Sequence, residues 1–539
     1  MTATALDIAR ERQLDWLLDE VLCDRHPHVV RREARGAVPR WLAAALVVLA
    51  IGAAVGVALH DDEARRSGPT PVQDPAPDPA PPIEWHECKS PAELDAVPAD
   101  VEYLRGYDFD DDAVARLVRF TTLTHLDLSK SMPDARGVTR SVRIGDAGVS
   151  QLGNLSNLRW LSLAGCSQVR GKTLGQLRAI PQLEHLDLSY TGIRTSAVES
   201  LGTLPSLREL VLSGCREFHG SAIAEVARLP GLRRLELASC ISLSADDVKL
   251  LRNLSELRHL DLSGCMGAFL GQTAAGFDDL FVGGRQEPKE KQPVQDGVGV
   301  TDAAVAALRD LPIETLLLHG CRSLTDDVAG SLAAMKRLRK VDLGNLPRTS
   351  TAILKALPTN LKGLSLHANH HYDAAGLDAL QRFGELTSLD ISGLTAIDDA
   401  RFARILAGKR LTTLKLGGTP RSRDAIGARG HYLPAVTARC VATIALQPFL
   451  EELDLKASEW LDRDAARRLA QLPNLHELRL VWCKSVDSAV LKALQPLPLT
   501  HVDLYGIGAT DADVRGIATA WRGCAVRLPK GARVTVPPR

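Results

Sequence analysis

Six cysteines, Cys166, Cys215, Cys240, Cys265, Cys321 and Cys483, stand at one recurring place in the sequence. Evenly spaced thiols could hold a soft metal, pair as disulfides or do redox chemistry. A metal or redox role needs converging ligands and a setting that lowers the thiol pKa. Ten Cys in 539 residues are too sparse for a disulfide scaffold. The simplest expectation is a small buried thiol with a weak S–H donor. Cross-repeat disulfides stay open, because neighbouring strands lie ~4.8 Å apart. His319, His367, His370 and His371 are scattered over several repeats, with no carboxylate or Cys set at ligand spacing, so no metal is expected. Nothing singles out an acid–base couple or a phosphate-binding loop. The expectation is no catalytic residue, no cofactor and no enzyme.

The elements that carry these residues follow from a repeat. The string L-x-x-L-x-L, with conservative variation, occurs fourteen times, from Leu123 (LTHLDL) to Leu499 (LTHVDL). Ten of the thirteen spacings are 23–25 residues, and a degenerate fifteenth copy lies near Val101 and Tyr103. In L-x-L the two leucines point to one side of a strand and the middle residue to the other. A return helix such as ADDVKLLRNL (245–254) completes each unit. One unit cannot bury its own leucines, but stacked units can. The expected fold is therefore an α/β solenoid, with a long parallel sheet on the concave face and helices on the convex face.

The chain resembles the leucine-rich-repeat family, in its cysteine-containing subtype. The residues that carry the likeness are the repeat itself, the six cysteines and the T-D helix starts in LTDDVAGSL (324–332), VTDAAVAAL (300–308) and ATDADVRGI (509–517). The resemblance implies a horseshoe-shaped binding platform, of a kind found in bacterial membrane-anchored proteins and in eukaryotic F-box adaptors. The T-D step has a local reason too. Thr accepts a hydrogen bond from a free helix N–H, and an acid suits the first turn.

Two surfaces could bind. Eight of the fourteen L-x-L middle residues are acidic, among them Asp127, Asp187, Glu236 and Asp261. That face should favour a basic or polar partner, although the acids also serve to keep a sheet soluble. Two positions earlier, His125, Trp160 and His185 follow one another in successive repeats, which makes Trp160 a candidate interface anchor. The second surface is a rim. Three spacings, 35, 56 and 39, are long, and their inserts (near 129–145, 266–300 and 418–438) all fall between strand and helix. They should emerge on one edge.

The first 84 residues differ. Residues 41–59 are uncharged over 19 positions, ~28 Å of helix, and read as a membrane span. Arg25, Arg31, Arg32, Arg35 and Arg40 precede it, which places the 1–40 leader, with its short amphipathic stretch, in the cytoplasm and residues 85–539 outside. Gly52 and Gly56 offer a small-residue face for a weak homodimer. Residues 60–84 are a Pro-rich spacer. Balanced charge (65 basic, 65 acidic) and 4% aromatics argue against nucleic-acid binding. The expected function is a single-pass membrane scaffold or receptor-like module that binds a protein. The alternatives are an F-box-type substrate adaptor for ubiquitination and, third, an enzyme with its site in the inserts.

Overall fold

The computed structural model describes residues 85–130, 142–195, 204–215, 221–265, 299–420 and 431–537, with 201, 202 and 218 besides. The leader, the 41–59 span, its dimerisation glycines and the Pro-rich spacer lie outside the described residues, as do the centres of the three inserts. Among the described residues no helix is long and apolar enough to cross a membrane.

The leucine pattern builds one sheet of eighteen strands. Each strand pairs in parallel with that of the next repeat, from His86–Cys88 through Tyr103–Tyr107, His125–Lys130 and Trp160–Ser162 to His501–Asp503 and Ala525–Arg527. The degenerate copy is the strand Tyr103–Tyr107. Two further parallel strands, one at each end, carry no full leucine string, and Arg533–Thr535 turns back antiparallel to close the far edge. The inner strand residues Leu126, Leu161, Leu186, Leu210, Leu235 and Leu260 are fully buried. They belong to a single core that runs on to Leu528, so the apolar seam is shared by every repeat.

Return helices are shorter than the sequence pattern suggests. Residues 245–254 give an α-helix only over Ala245–Leu250, then a 3₁₀ turn over Leu251–Asn253. Ser244 opens that helix with a reciprocal capping box to Asp247. Thr301 and Thr510 cap their helices as the T-D starts imply. In 324–332 the expected start moves, because the helix is Val328–Ala334 and Thr325 lies before its first turn.

The aspartate of the T-D step has a role beyond the helix dipole. Asp302 accepts hydrogen bonds from the Thr325 backbone N–H (3.0 Å) and hydroxyl (2.7 Å) of the following repeat. Asp326 holds the Ser350 backbone in the same way (2.7 Å), and Asp399 holds Thr437 (2.9 Å). Asp111 and Asp146 hold Gly145 and Gly171 (2.8 and 2.9 Å). These carboxylates stitch one coil to the next where no strand ladder runs. Hydrogen bonds to an ionised acceptor contribute ~1.5–3 kcal/mol each, net of the bonds given up to water. We therefore expect Asp302→Ala to cost about 2 kcal/mol, read as a lower urea midpoint. Asp302→Asn, which keeps one acceptor, should lose about half of that, and equal losses would refute the stitch.

Most strands leave the sheet through one residue at positive φ. Glycine fills that place at 165, 214, 264, 320, 393 and 506, and Tyr190, Ser239, Asn345, Ala368, Ala457 and Trp482 adopt it without being glycine. The Cys position follows immediately, so the turn aims the thiol inward.

Candidate functional site

The six repeat cysteines are buried, and none forms a disulfide. Five of their sulfurs donate to a leucine carbonyl of the previous repeat at 3.0–3.2 Å: Cys215 to Leu188, Cys240 to Leu212, Cys265 to Leu237, Cys321 to Leu262 and Cys483 to Leu455. Cys166 is looser, 3.8 Å from the Leu128 carbonyl. Burial pushes the thiols up, Cys215 to about 11 and Cys166 and Cys483 to about 12. They are therefore protonated donors at neutral pH, with a structural task. Asn369 takes the same place in its own repeat. Its amide donates to the Leu343 carbonyl (2.8 Å) and its oxygen accepts from the Leu346 N–H (2.8 Å).

The acidic middle positions are largely occupied by the backbone. Asp127, Asp187, Asp261, Asp342, Asp390, Asp454 and Asp503 each accept from the N–H two residues on, at 2.8–3.0 Å. A short carboxylate side chain can make this bond as the strand ends. Asp127 is only 4% exposed and also pairs with Arg105 at 3.0 Å, so it is held within the sheet face. Glu236 pairs with Arg234 and lies 3.7 Å from His259. Burial raises Asp261 and Asp454 above the usual carboxylate range. The acid ladder is thus first a backbone device, and the charges of Asp127, Glu236 and Asp503 are offset by Arg105, Arg234 and Arg527.

The aromatic positions form a larger group than the sequence indicates. His125, Trp160 and His185 lie side by side on neighbouring strands, in register. Trp160 stacks on His185 at 4.9 Å between centroids and 9° between planes. His125 stacks on Tyr103 at 4.5 Å. Trp85, which precedes the first strand, lies across the row and meets Tyr103, His125 and Trp160 edge-on at 5.6–6.3 Å. The Arg105 guanidinium covers Trp85 at 4.9 Å. All five rings are partly exposed. Burial, and then the charge of Arg159, holds His125 below its ordinary pKa. His185 donates to Glu209 at 2.9 Å. Trp85 was missed because it sits outside the repeat string, and Tyr103 because its copy of the string is degenerate. Their signal was local: aromatic residues just before the first leucine, in a chain otherwise poor in them.

The four central histidines separate into two groups. His370 stacks on Tyr432 (3.9 Å), and the His371 ring bonds the Thr349 carbonyl (2.8 Å). His319 and His367 instead stack on each other at 4.4 Å, with the Asp342 carboxylate beside them. These histidines share no ligand set along the chain, but stacking of the repeats brings His319, His367 and Asp342 together, because it turns a separation of one repeat into a strand spacing. Burial and then the neighbouring His367 lower the His319 pKa, so its imidazole is neutral at neutral pH.

Each of the three inserts falls between a strand and the helix that returns from it. The third opens with a two-stranded hairpin, Thr419–Pro420 against His431–Tyr432.

No protein-family model matches the chain, and no curated protein matches it. Solved structures do resemble it. An internalin from Listeria monocytogenes is 16% identical, covering 71% of this chain and 81% of that one, with a TM-score of 0.34. A leucine-rich-repeat protein of Leptospira interrogans is 16% identical over 82% of this chain and all of the other, at 0.36. Rad7 in its yeast complex with Elc1 is similar at 17% identity, with 75% and 81% covered and a TM-score of 0.40. These likenesses carry no functional argument. The leucine-rich-repeat architecture of this chain rests on its own strand register and shared core.

Proposed function

We propose that this chain is a membrane-anchored recognition module whose repeat domain lies outside the cytoplasm and binds a protein partner through the N-terminal part of its strand face. The observation that carries the reading is the row Trp85, Tyr103, His125, Trp160 and His185. Partly exposed aromatics on a rigid sheet are unusual on a polar surface and suit an interface. The surroundings favour a cationic partner. Glu87, Glu102, Glu184 and Glu209 border the row, against Arg105 and Arg159. A partner Lys or Arg placed over Trp160 would gain both the ring face and the acids. Asp187, Glu236 and Asp261 continue the polar face along the sheet. The rim inserts offer a second edge for the same partner. Among the described residues no group of side chains suggests a catalytic role.

The anchoring part rests on the uncharged 41–59 stretch and the arginines before it. The test is crosslinking and pull-down with the full chain in membranes, followed by protease treatment of sealed cells. We expect a captured partner whose binding weakens as salt rises, and a repeat domain that is cleaved from outside. A chain recovered wholly from the cytosol would overturn the anchor and favour the substrate-adaptor alternative.

A further inference from the structure

We propose that His319, Asp342 and His367 form a binding site for a divalent transition metal of the zinc class, ligated by two imidazole nitrogens, one carboxylate oxygen and water. The three residues come from three successive strands' ends, and their candidate ligand atoms lie within 4.8 Å of one another. Metal–ligand bonds of ~2.0–2.2 Å would draw those atoms together by about 1 Å, which turns of the two rings can supply. The His319 Nδ1 is buried and makes no hydrogen bond in the chain. A buried ring nitrogen without a partner is costly, and a metal ion would satisfy it.

The sequence makes room for this arrangement. The residue after the L-x-L pair is Ser, Ala or Gly in nine of the fourteen repeats, and it is His only at 319 and 367. Gly344 holds that position in the repeat between them. A side chain there would run into the His367 ring, so glycine lets the two imidazoles meet across the intervening strand. The supporting shell is also present. The Gly344 N–H orients Asp342 (2.8 Å), and the Ser365 hydroxyl lies 2.8 Å from the His367 Nδ1. Asp390 approaches the same nitrogen at 3.7 Å. Such contacts fix ring orientation in metal sites. Two imidazoles with one carboxylate select zinc-like ions over calcium or magnesium, which take oxygen-rich shells.

The test is titration of the full-length protein in detergent with cobalt(II) chloride as the spectroscopic probe and zinc chloride as competitor. One equivalent of cobalt with a nitrogen-ligated visible spectrum, displaced by zinc, is the expected result. His319→Ala, His367→Ala and Asp342→Asn should each weaken binding by about 100-fold or more, beyond the usual cost of losing a supporting contact. Gly344→Ala keeps every ligand, fills the space and should weaken binding too, while the exposed His86→Ala should not. Circular dichroism melts identify any variant that fails to fold. Absence of stoichiometric binding in the unaltered protein overturns the proposal, as does binding that survives the His319→Ala, His367→Ala double change in a folded protein.

Discussion

Asn369→Ala is expected to lower the stability of the repeat domain by about 3 kcal/mol. The Asn369 side chain is fully buried and holds two backbone groups at once, the Leu343 carbonyl and the Leu346 N–H. Alanine would leave both without a partner in a dry interior. Each orphaned buried group costs ~1–3 kcal/mol. Asn369→Cys separates the two bonds. A thiol at this position serves the carbonyl of the previous repeat, as Cys321 and Cys483 do, but it has no acceptor strong enough for the N–H. It should recover roughly half of the loss. Urea midpoints, with hydrogen exchange at the Leu346 amide, measure both effects. A loss under ~1 kcal/mol, or an identical loss for Cys and Ala, would mean that the asparagine is a spacer and not a bridge.

The second large effect concerns binding. Trp85→Ala with Trp160→Ala should weaken the partner captured by the full chain by at least about 2 kcal/mol, roughly 30-fold in Kd. The two rings meet at 5.6 Å, so they act as one surface and their single effects should not add. Trp85 is the more telling member. It packs over three other rings without belonging to the buried core, so its loss should spare stability. Phe449→Ala, at an exposed aromatic in a distant repeat, should change nothing. Kd values for the single and double variants decide the matter. Unchanged affinity in the double variant would remove the N-terminal strand face from the binding account.

The strands were legible because L-x-L states which side of a strand is buried, and Leu126, Leu161 and Leu235 sit where that rule puts them. Helix lengths were less legible. Residues 251–253 keep the apolar spacing of a helix yet tighten to a 3₁₀ turn, since the coil must close within a fixed repeat length. The aspartates were read for their charge, but charge does not distinguish Asp127, folded onto the Ser129 amide, from a carboxylate offered to solvent. Geometry two residues further on decides it. The His319, Asp342 and His367 group was invisible to a search at short ligand spacing. In a solenoid the effective ligand spacing is one repeat, so His319 and Asp342, 23 residues apart, are side by side. Trp85 escaped because nothing in its own segment repeats. Its place over Trp160 exists only once the first strands have paired.

The junction across the longest insert has a practical meaning. His259, Leu260 and Asp261 pair with Thr315, Leu316 and Leu317 in the same step as every ordinary neighbour, although 56 residues separate the two copies where most are separated by about 25. The ladder is indifferent to how much chain departs and returns between those two rungs. The junction between these two rungs is therefore a place where a tag, an epitope or a second folded domain could be spliced while the flanking strands keep their register.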